Sequence, residues 1–229
     1  MSFNIGFVIF PNLTQLDFTG PLEVLNRMPG ATTHIVAKTR EPVKSDCPLA
    51  IPPTATFADC PPLDLLCIPG GFGMSQAMED EETMAFVRRA GARAKYVTSV
   101  CTGAFVLGAA GLLKGKRATT HWAFHHLLPR VGAIPVKERV VRDGDTFTGG
   151  GVTAGVDFAF TVLNEIAGPV VAQAVQLGLE YDPKPPFVGG SPARAPAEIK
   201  AAVDQRYATR LPDFEKVLDR VAPRLRAAG

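Results

Sequence analysis

Cys101 sits in the run Tyr96-Val97-Thr98-Ser99-Val100-Cys101-Thr102-Gly103-Ala104, where β-branched residues give way to small ones. That order is the sequence form of a nucleophile elbow: a strand ends, the chain turns sharply, and a helix starts behind one reactive side chain. The turn needs small neighbours, and Ser99 and Gly103 stand two residues to either side of the cysteine. A thiol attacks as its thiolate, and the free N–H groups and positive dipole end of the new helix favour that form. A cysteine at a strand end also reads as a small buried hydrophobe. The turn around it is what argues for chemistry.

Thiolate attack on an unsaturated carbon builds negative charge that preorganised backbone N–H groups can stabilise. Gly70-Gly71, in Ile68-Pro69-Gly70-Gly71-Phe72-Gly73, offers such groups with no side chain to block approach, although taken alone the pair reads first as a plain tight turn. The N–H of Thr102, directly after the cysteine, is another donor. Asp17 lies between two apolar residues, Leu16 and Phe18, just before an expected helix start. It reads either as a helix-start aspartate or as a carboxyl group that shares a proton with the thiol and acts as general acid. Spacing alone leaves both open.

His121, beside Trp122, is a candidate to orient or deprotonate the nucleophile, and equally a packing residue. His125 and His126, one turn further on, read as surface or outer groups. Cys47, Cys60 and Cys67 lack the elbow context and read as structural. Gly149-Gly150-Gly151 reads as a flexible loop whose following helix start borders the pocket.

Those residues must be positioned by strands and helices. Ile5 to Phe10 is a nearly continuous apolar run closed by Pro11, which suits a strand buried on both faces. Thr19-Gly20-Pro21-Leu22-Glu23 predicts a helix start. Thr33–Ala37 and Leu65–Ile68 predict strands, and residues 41–64 predict hairpins or loops. Asp80 to Ala94 is amphipathic and predicts a surface helix. Ala118-Thr119-Thr120 predicts a short strand. Val140-Val141 and Thr146-Phe147-Thr148 flank Asp143-Gly144, a hairpin signal. A long helix is expected from Val152 to about Ile166. Pro183-Lys184-Pro185-Pro186 marks a boundary, after which Ile199, Val203, Tyr207 and Leu211 form a helical stripe and Pro212 starts another segment.

Strands alternating with helices predict an α/β sandwich with a mostly parallel sheet over residues 1–182, and a helical extension over 183–229. In such sheets the site lies beyond the carboxyl ends of the strands. Gly70-Gly71, Cys101 and Thr120-His121 all stand at expected strand ends, so the topology lets them converge.

The totals narrow the partners. With 229 residues and a net charge of +2, the chain has no global field to select nucleic acid. Residues 183–229 carry nine Lys/Arg against five Asp/Glu, a mixture typical of a solvated helix face. Four cysteines without a C-x-x-C pair, and four histidines without zinc-site spacing, predict neither a disulfide framework nor a metal site. The amino terminus lacks a basic region, and the longest apolar run, Ala104 to Leu113, is too short for a membrane span. The expectation is a soluble, cytoplasmic protein.

Taken together, these segments resemble the ThiJ/PfpI-like, class I glutamine amidotransferase-like superfamily and, within it, the isocyanide hydratase branch. The resemblance is carried by Gln15–Pro21, Phe57–Asp64, Ile68–Gly71, Val97–Gly103, Ala118–Trp122 and Thr148–Gly155, and by Gln176-Leu177 through Phe187. The elbow and Thr119-Thr120-His121-Trp122 are also similar to the sensor domains of AraC-type regulators. Aspartate at position 17, where much of the superfamily has glutamate, favours the hydratase branch. The resemblance implies a flavodoxin-like fold and a homodimer without metal or organic cofactor. It implies hydration of a small-molecule isocyanide to an N-substituted formamide, with no nucleic acid or membrane partner. It implies Cys101 as nucleophile, Asp17 as its acid/base partner and Thr102 in support. Gly70, Gly71, Thr102 and Val152 would form the oxyanion and substrate site, with His121 behind them. Dicarbonyl detoxification, a thiol stress response, or a regulator-like sensor domain are the competing expectations.

Overall fold

A computed structural model describes residues 2–227. The amino-terminal apolar run forms β1 (Phe3–Val8), followed by α1 (Gln15–Leu25) and β2 (Ala31–Ala37). The Pro- and Asp-rich stretch gives a small hairpin, β3 (Val43–Lys44) with β4 (Ala50–Ile51), and an edge strand, β5 (Ala55–Thr56). Next come β6 (Leu65–Ile68), α2 (Met74–Glu79), α3 (Glu81–Gly91), β7 (Tyr96–Val100) and α4 (Gly103–Ala109). After β8 (Arg117–Ala118) a 3₁₀ segment spans Trp122–Val131. It is followed by β9 (Ile134–Pro135), the hairpin β10 (Val140–Asp143) and β11 (Thr146–Gly149), and α5 (Ala154–Gly178). The extension forms α6 (Ala197–Ala208) and α7 (Leu211–Ala227).

The central sheet has seven strands in the order β10-β11-β7-β6-β1-β2-β5. Every pairing is parallel except β10 with β11. Helices cover the sheet, so β6, with all four residues buried, reads as a continuous apolar run. The chain runs from β1 to β2 and β5 on one side, then returns to β6 on the other. The crevice at this reversal opens beyond the carboxyl ends of β1 and β6, where α/β sheets place their sites.

Packing explains the helices that patterning misplaces. α1 starts at Gln15, not near Thr19, so Asp17 lies within its first turn and Pro21 lies mid-helix. Pro21 has no N–H to give the Asp17 carbonyl, yet the helix persists because Phe18, Val24 and Leu25 are buried. Phe18 meets Phe7 of β1 edge-on at 5.4 Å, which fixes the first turn of α1 against the sheet. α4 is buried at every position and shows no polar face. α2 had no counterpart in the expected elements. α5 runs past Ile166 to Gly178 through a kink, where Gly168 (φ 83) precedes Pro169. By length and composition α5 could cross a membrane, but Ala154, Phe158, Val162 and Leu163 in its first half are buried within the fold.

β8 stops at Ala118 and pairs with β9, not with the central sheet. Thr120-His121 therefore does not extend a strand of that sheet, contrary to expectation. In the extension, Phe214, Val217, Leu218 and Val221 of α7 are buried at helical spacing. Phe214 packs edge-on against Phe105 of α4 and Phe124 of the 3₁₀ segment, at 4.8 and 5.5 Å.

Candidate active site

Cys101 stands one residue beyond β7 with φ 55, in the left-handed region that side chains rarely occupy. The turn is held from both sides. The Cys101 N–H donates to the Gly149 carbonyl at 3.0 Å, and the Thr120 hydroxyl donates to the Cys101 carbonyl at 2.7 Å. Two residues on, a Cβ at Gly103 would lie 2.1 Å from the Ile68 carbonyl oxygen. Only glycine fits there, which is the physical content of the small-neighbour requirement at an elbow. Thr120-His121 thus reaches the site through this hydroxyl rather than through the sheet.

Asp17 approaches from α1 and is fully buried. Its Oδ2 accepts the Gly70 N–H at 3.0 Å, while Oδ1 makes no hydrogen bond of ordinary geometry. The carboxyl group is nonetheless close enough to Cys101 for each to alter the other's proton affinity. The Gly71 N–H donates to Thr102 Oγ1 at 3.0 Å. A Cβ at Gly70 would sit 2.5 Å from the Thr102 nitrogen and 2.8 Å from Asp17 Oδ2. Gly70 therefore lets three elements meet: the start of α1, the loop after β6 and the elbow.

These contacts correct the expectation for Gly70 and Gly71. The pair was expected as a source of N–H groups for a developing charge. Both N–H groups are engaged, one by Asp17 and one by Thr102, so they hold the acid and the hydroxyl in place. The Thr102 N–H and hydroxyl both favour charge on the sulfur, although the hydroxyl also donates to the Gly71 carbonyl at 3.3 Å.

The electrostatics also revise the thiolate expectation. Burial, then the neighbouring Asp17 carboxylate, push the Cys101 thiol well above its ordinary value. Thr102 pulls the other way and does not win. Burial likewise raises Asp17 to about 7, against the lowering effect of Cys101 and the Gly70 N–H. Desolvation penalises each charged form, and the two groups repel when both are ionised. Near neutral pH the pair carries at most one negative charge, and its titration belongs to both groups.

His121 is buried beside the elbow, and burial lowers its pKa to about 4, so the ring is neutral. Its Nδ1 accepts the Ala123 N–H at 3.3 Å. Gly151, from the loop after β11, lies against His121: a Cβ there would be 3.5 Å from Cδ2. Val152 follows, half-buried. His125, expected nearer the surface, is buried, whereas His126 is exposed. Cys67 is buried, Cys60 half-buried and Cys47 exposed, and none is disulfide-bonded. Among the described residues, no group of three or more His, Cys, Asp or Glu is placed to hold a metal ion.

The model of the DJ-1/PfpI family matches residues 4–165, a span that includes Asp17, Gly70 and the elbow. The chain belongs to the DJ-1/PfpI family. An isonitrile hydratase of Pseudomonas putida is 55% identical over 225 residues, 98% of this chain and 99% of that protein. The crystal structure of a ThiJ/PfpI family protein from Pseudomonas syringae superposes with a TM-score of 0.92 at 46% identity, covering 97% of this chain and 91% of that one. The transcriptional regulator GbdR of Pseudomonas aeruginosa is 26% identical, matching 78% of this chain but 51% of its own length.

Outside the DJ-1/PfpI match, the extension closes on the same region. Tyr207 of α6 places its ring 5.0 Å from His121 and 5.7 Å from Trp122, with its hydroxyl 3.4 Å from His121 Nε2. Arg210, one turn on, stacks its guanidinium over Phe72, 4.6 Å from the ring centre. Residues from the α6–α7 junction thus touch both the Gly70–Phe72 loop and the His121 turn. Sequence reasoning placed Tyr207 in a helical stripe but not at the site, because the contact joins residues 86 positions apart. The Thr120 hydroxyl on the Cys101 carbonyl was also missed.

Proposed function

We propose that this protein hydrates isocyanides to N-substituted formamides, with Cys101 as nucleophile, Asp17 as its proton partner and Thr102 as hydrogen-bond donor to the sulfur. The observation that carries this reading is the buried pairing of a strained elbow cysteine with a carboxyl group of raised pKa. The similarity to an isonitrile (isocyanide) hydratase over 98% of the chain supports the choice of substrate class.

An isocyanide carbon holds a lone pair and accepts nucleophiles. The pair starts with one shared proton. Cys101 sulfur bonds to the carbon, and the proton held by Asp17 moves to the same carbon, giving a thioimidate and an Asp17 carboxylate. Water then adds to that carbon, the nitrogen gains a proton, and the C–S bond breaks to release the formamide. Covalent catalysis divides one slow hydration into two easier steps. The Gly70 and Gly71 N–H groups keep Asp17 and Thr102 in register. Val152 follows the Gly149–Gly151 loop, and His121 lies against Gly151 of that loop.

In this reading residues 1–182 are the catalytic unit, and residues 183–229 cover it. A second copy of the chain is the proposed partner. The outer half of α5 exposes Val170 (79%) and Leu177 (81%), an apolar face suited to a homodimer.

The test is an assay of isocyanide loss and formamide appearance, over a panel of alkyl and aryl isocyanides. Turnover by the wild type, abolished in Cys101→Ala, is expected. Absence of turnover, together with activity on methylglyoxal, would replace this reading with dicarbonyl detoxification.

A further inference from the structure

We propose that Tyr207, supplied by the extension outside the family match, donates the proton that the substrate nitrogen gains when water adds to the thioimidate. The inference rests on the hydratase reading above and assigns a donor that the reading leaves unnamed. Asp17 is not that donor. It has given its proton to carbon in the first step and stands as a carboxylate when water arrives.

The hydrogen-bond directions around His121 lead to Tyr207. Nδ1 of His121 accepts the Ala123 N–H, so in a neutral ring the hydrogen resides on Nε2. The ring is neutral because burial holds its pKa to about 4. Nε2 therefore donates to the Tyr207 oxygen, 3.4 Å away. A phenol that accepts this bond turns its own hydrogen elsewhere. Tyr207 is half-buried, and the ring contacts with His121, Trp122 and Phe124, at 5.0, 5.7 and 5.8 Å, hold it in place. Its oxygen sits in the field of Cys101 and Asp17. Burial first, then Cys101 and Asp17, raise its pKa against the lowering effect of Arg206, so the proton is retained at neutral pH. Thr120, adjacent to His121, holds the Cys101 carbonyl, which ties this turn to the reacting sulfur.

The protons balance. The water oxygen bonds to the thioimidate carbon and loses one proton to the Asp17 carboxylate. The C=N π pair takes the Tyr207 proton and becomes an N–H bond. As the C–S bond breaks, the new hydroxyl becomes the formamide carbonyl and returns its proton to the Tyr207 phenolate. Cys101 leaves as thiolate beside a protonated Asp17, and the pair again holds its one shared proton.

Tyr207→Phe tests this, because it keeps the ring and its packing and removes only the hydroxyl. In rapid mixing with an aryl isocyanide, the first equivalent should disappear within about threefold of the wild-type rate. Steady-state kcat should fall roughly 10- to 100-fold, within reach of what a proton donor contributes. Intact-mass measurement of quenched samples should then show Cys101 carrying the isocyanide as the dominant species. An unchanged kcat overturns the proposal. So does a slowed first equivalent without accumulated adduct, which would place Tyr207 in the thiol step. A wild type that consumes no isocyanide overturns the hydratase reading itself, a result distinct from either.

Discussion

Cys67 in β6 and Cys101 just past the neighbouring β7 lie at similar depths, with exposures of 0% and 5%. Burial raises both thiols, Cys67 to about 12. They differ in what surrounds the sulfur. Cys67 lies inside β6, in regular backbone paired with Thr98 of β7. Cys101 lies past the end of β7 at φ 55, with the Thr102 N–H and hydroxyl on one side and the Asp17 carboxyl on the other. In the proposed reading, depth does not separate the structural cysteine from the nucleophile in this fold. A partner that can exchange a proton does, and so does a turn that leaves the sulfur at the head of a helix.

The largest expected effect is the loss of the nucleophile. Cys101→Ala should lower kcat by at least ~10⁴-fold, because the covalent route disappears. If Cys101→Ala retained wild-type turnover, the two cysteines would be alike in chemistry as well as depth.

Removing the proton partner comes next. Asp17→Asn should lower kcat by roughly 10²–10⁴-fold. In the wild type, kcat/KM should rise with pH through an apparent pKa near 7, as the pair loses its first proton. The same variant should report on stability. The folded pKa of Asp17, about 7, lies above its ordinary 3.8. Below pH 3.8 both folded and unfolded chains hold the proton, and the contribution is fully present. Between there and about pH 7 the unfolded chain releases a proton that the folded chain keeps, so stability falls as pH rises. The loss is on the order of 4 kcal/mol. Urea unfolding at pH 4.5 and 7.5 should show this decline in the wild type and not in Asp17→Asn. A parallel pH dependence in both proteins would mean that the carboxyl is not held protonated by its site.

Gly70→Ala tests the junction between the two partners. Its Cβ would meet the Thr102 nitrogen and Asp17 Oδ2 at 2.5 and 2.8 Å. The backbone must shift, at a cost of about 1–3 kcal/mol, and kcat should drop by roughly tenfold or more as the pair is pulled apart. Thermal unfolding and steady-state kinetics on one preparation separate the two effects. The smallest effect is expected at Cys67. Cys67→Ala should leave kcat within about twofold and cost about 1 kcal/mol through lost packing. A large loss of activity there would erase the contrast with Cys101.

Much of this was legible in the sequence wherever local chemistry decides the outcome. β1 and β6 are short, largely apolar runs and β7 is a β-branched one, and buried parallel strands read that way. The elbow was readable because its glycine and β-branched residues answer to sterics within a few residues. α1 was misplaced because Pro21 resembles a helix start, while burial of Phe18 and Leu25 sustains the helix through it. The charge state of Cys101 was misjudged because a helix start is visible in sequence and desolvation is not. The occupied N–H groups of Gly70 and Gly71 depend on Asp17 and Thr102, which lie 53 and 31 residues away. Tyr207 reaches the site only because α7 docks on α4 and the 3₁₀ segment. Contacts of that range are products of packing and leave no local trace.

The central claim is that Cys101 sulfur bonds to the substrate carbon, and time-resolved intact-mass analysis tests it most directly. Wild-type protein mixed with an aryl isocyanide and quenched during the first turnover should gain the full mass of the isocyanide, localised by peptide mapping to Cys101. The gain should precede formamide release and be absent in Cys101→Ala. Formamide formed with no mass gain at any time, at a rate unchanged in Cys101→Ala, would contradict it.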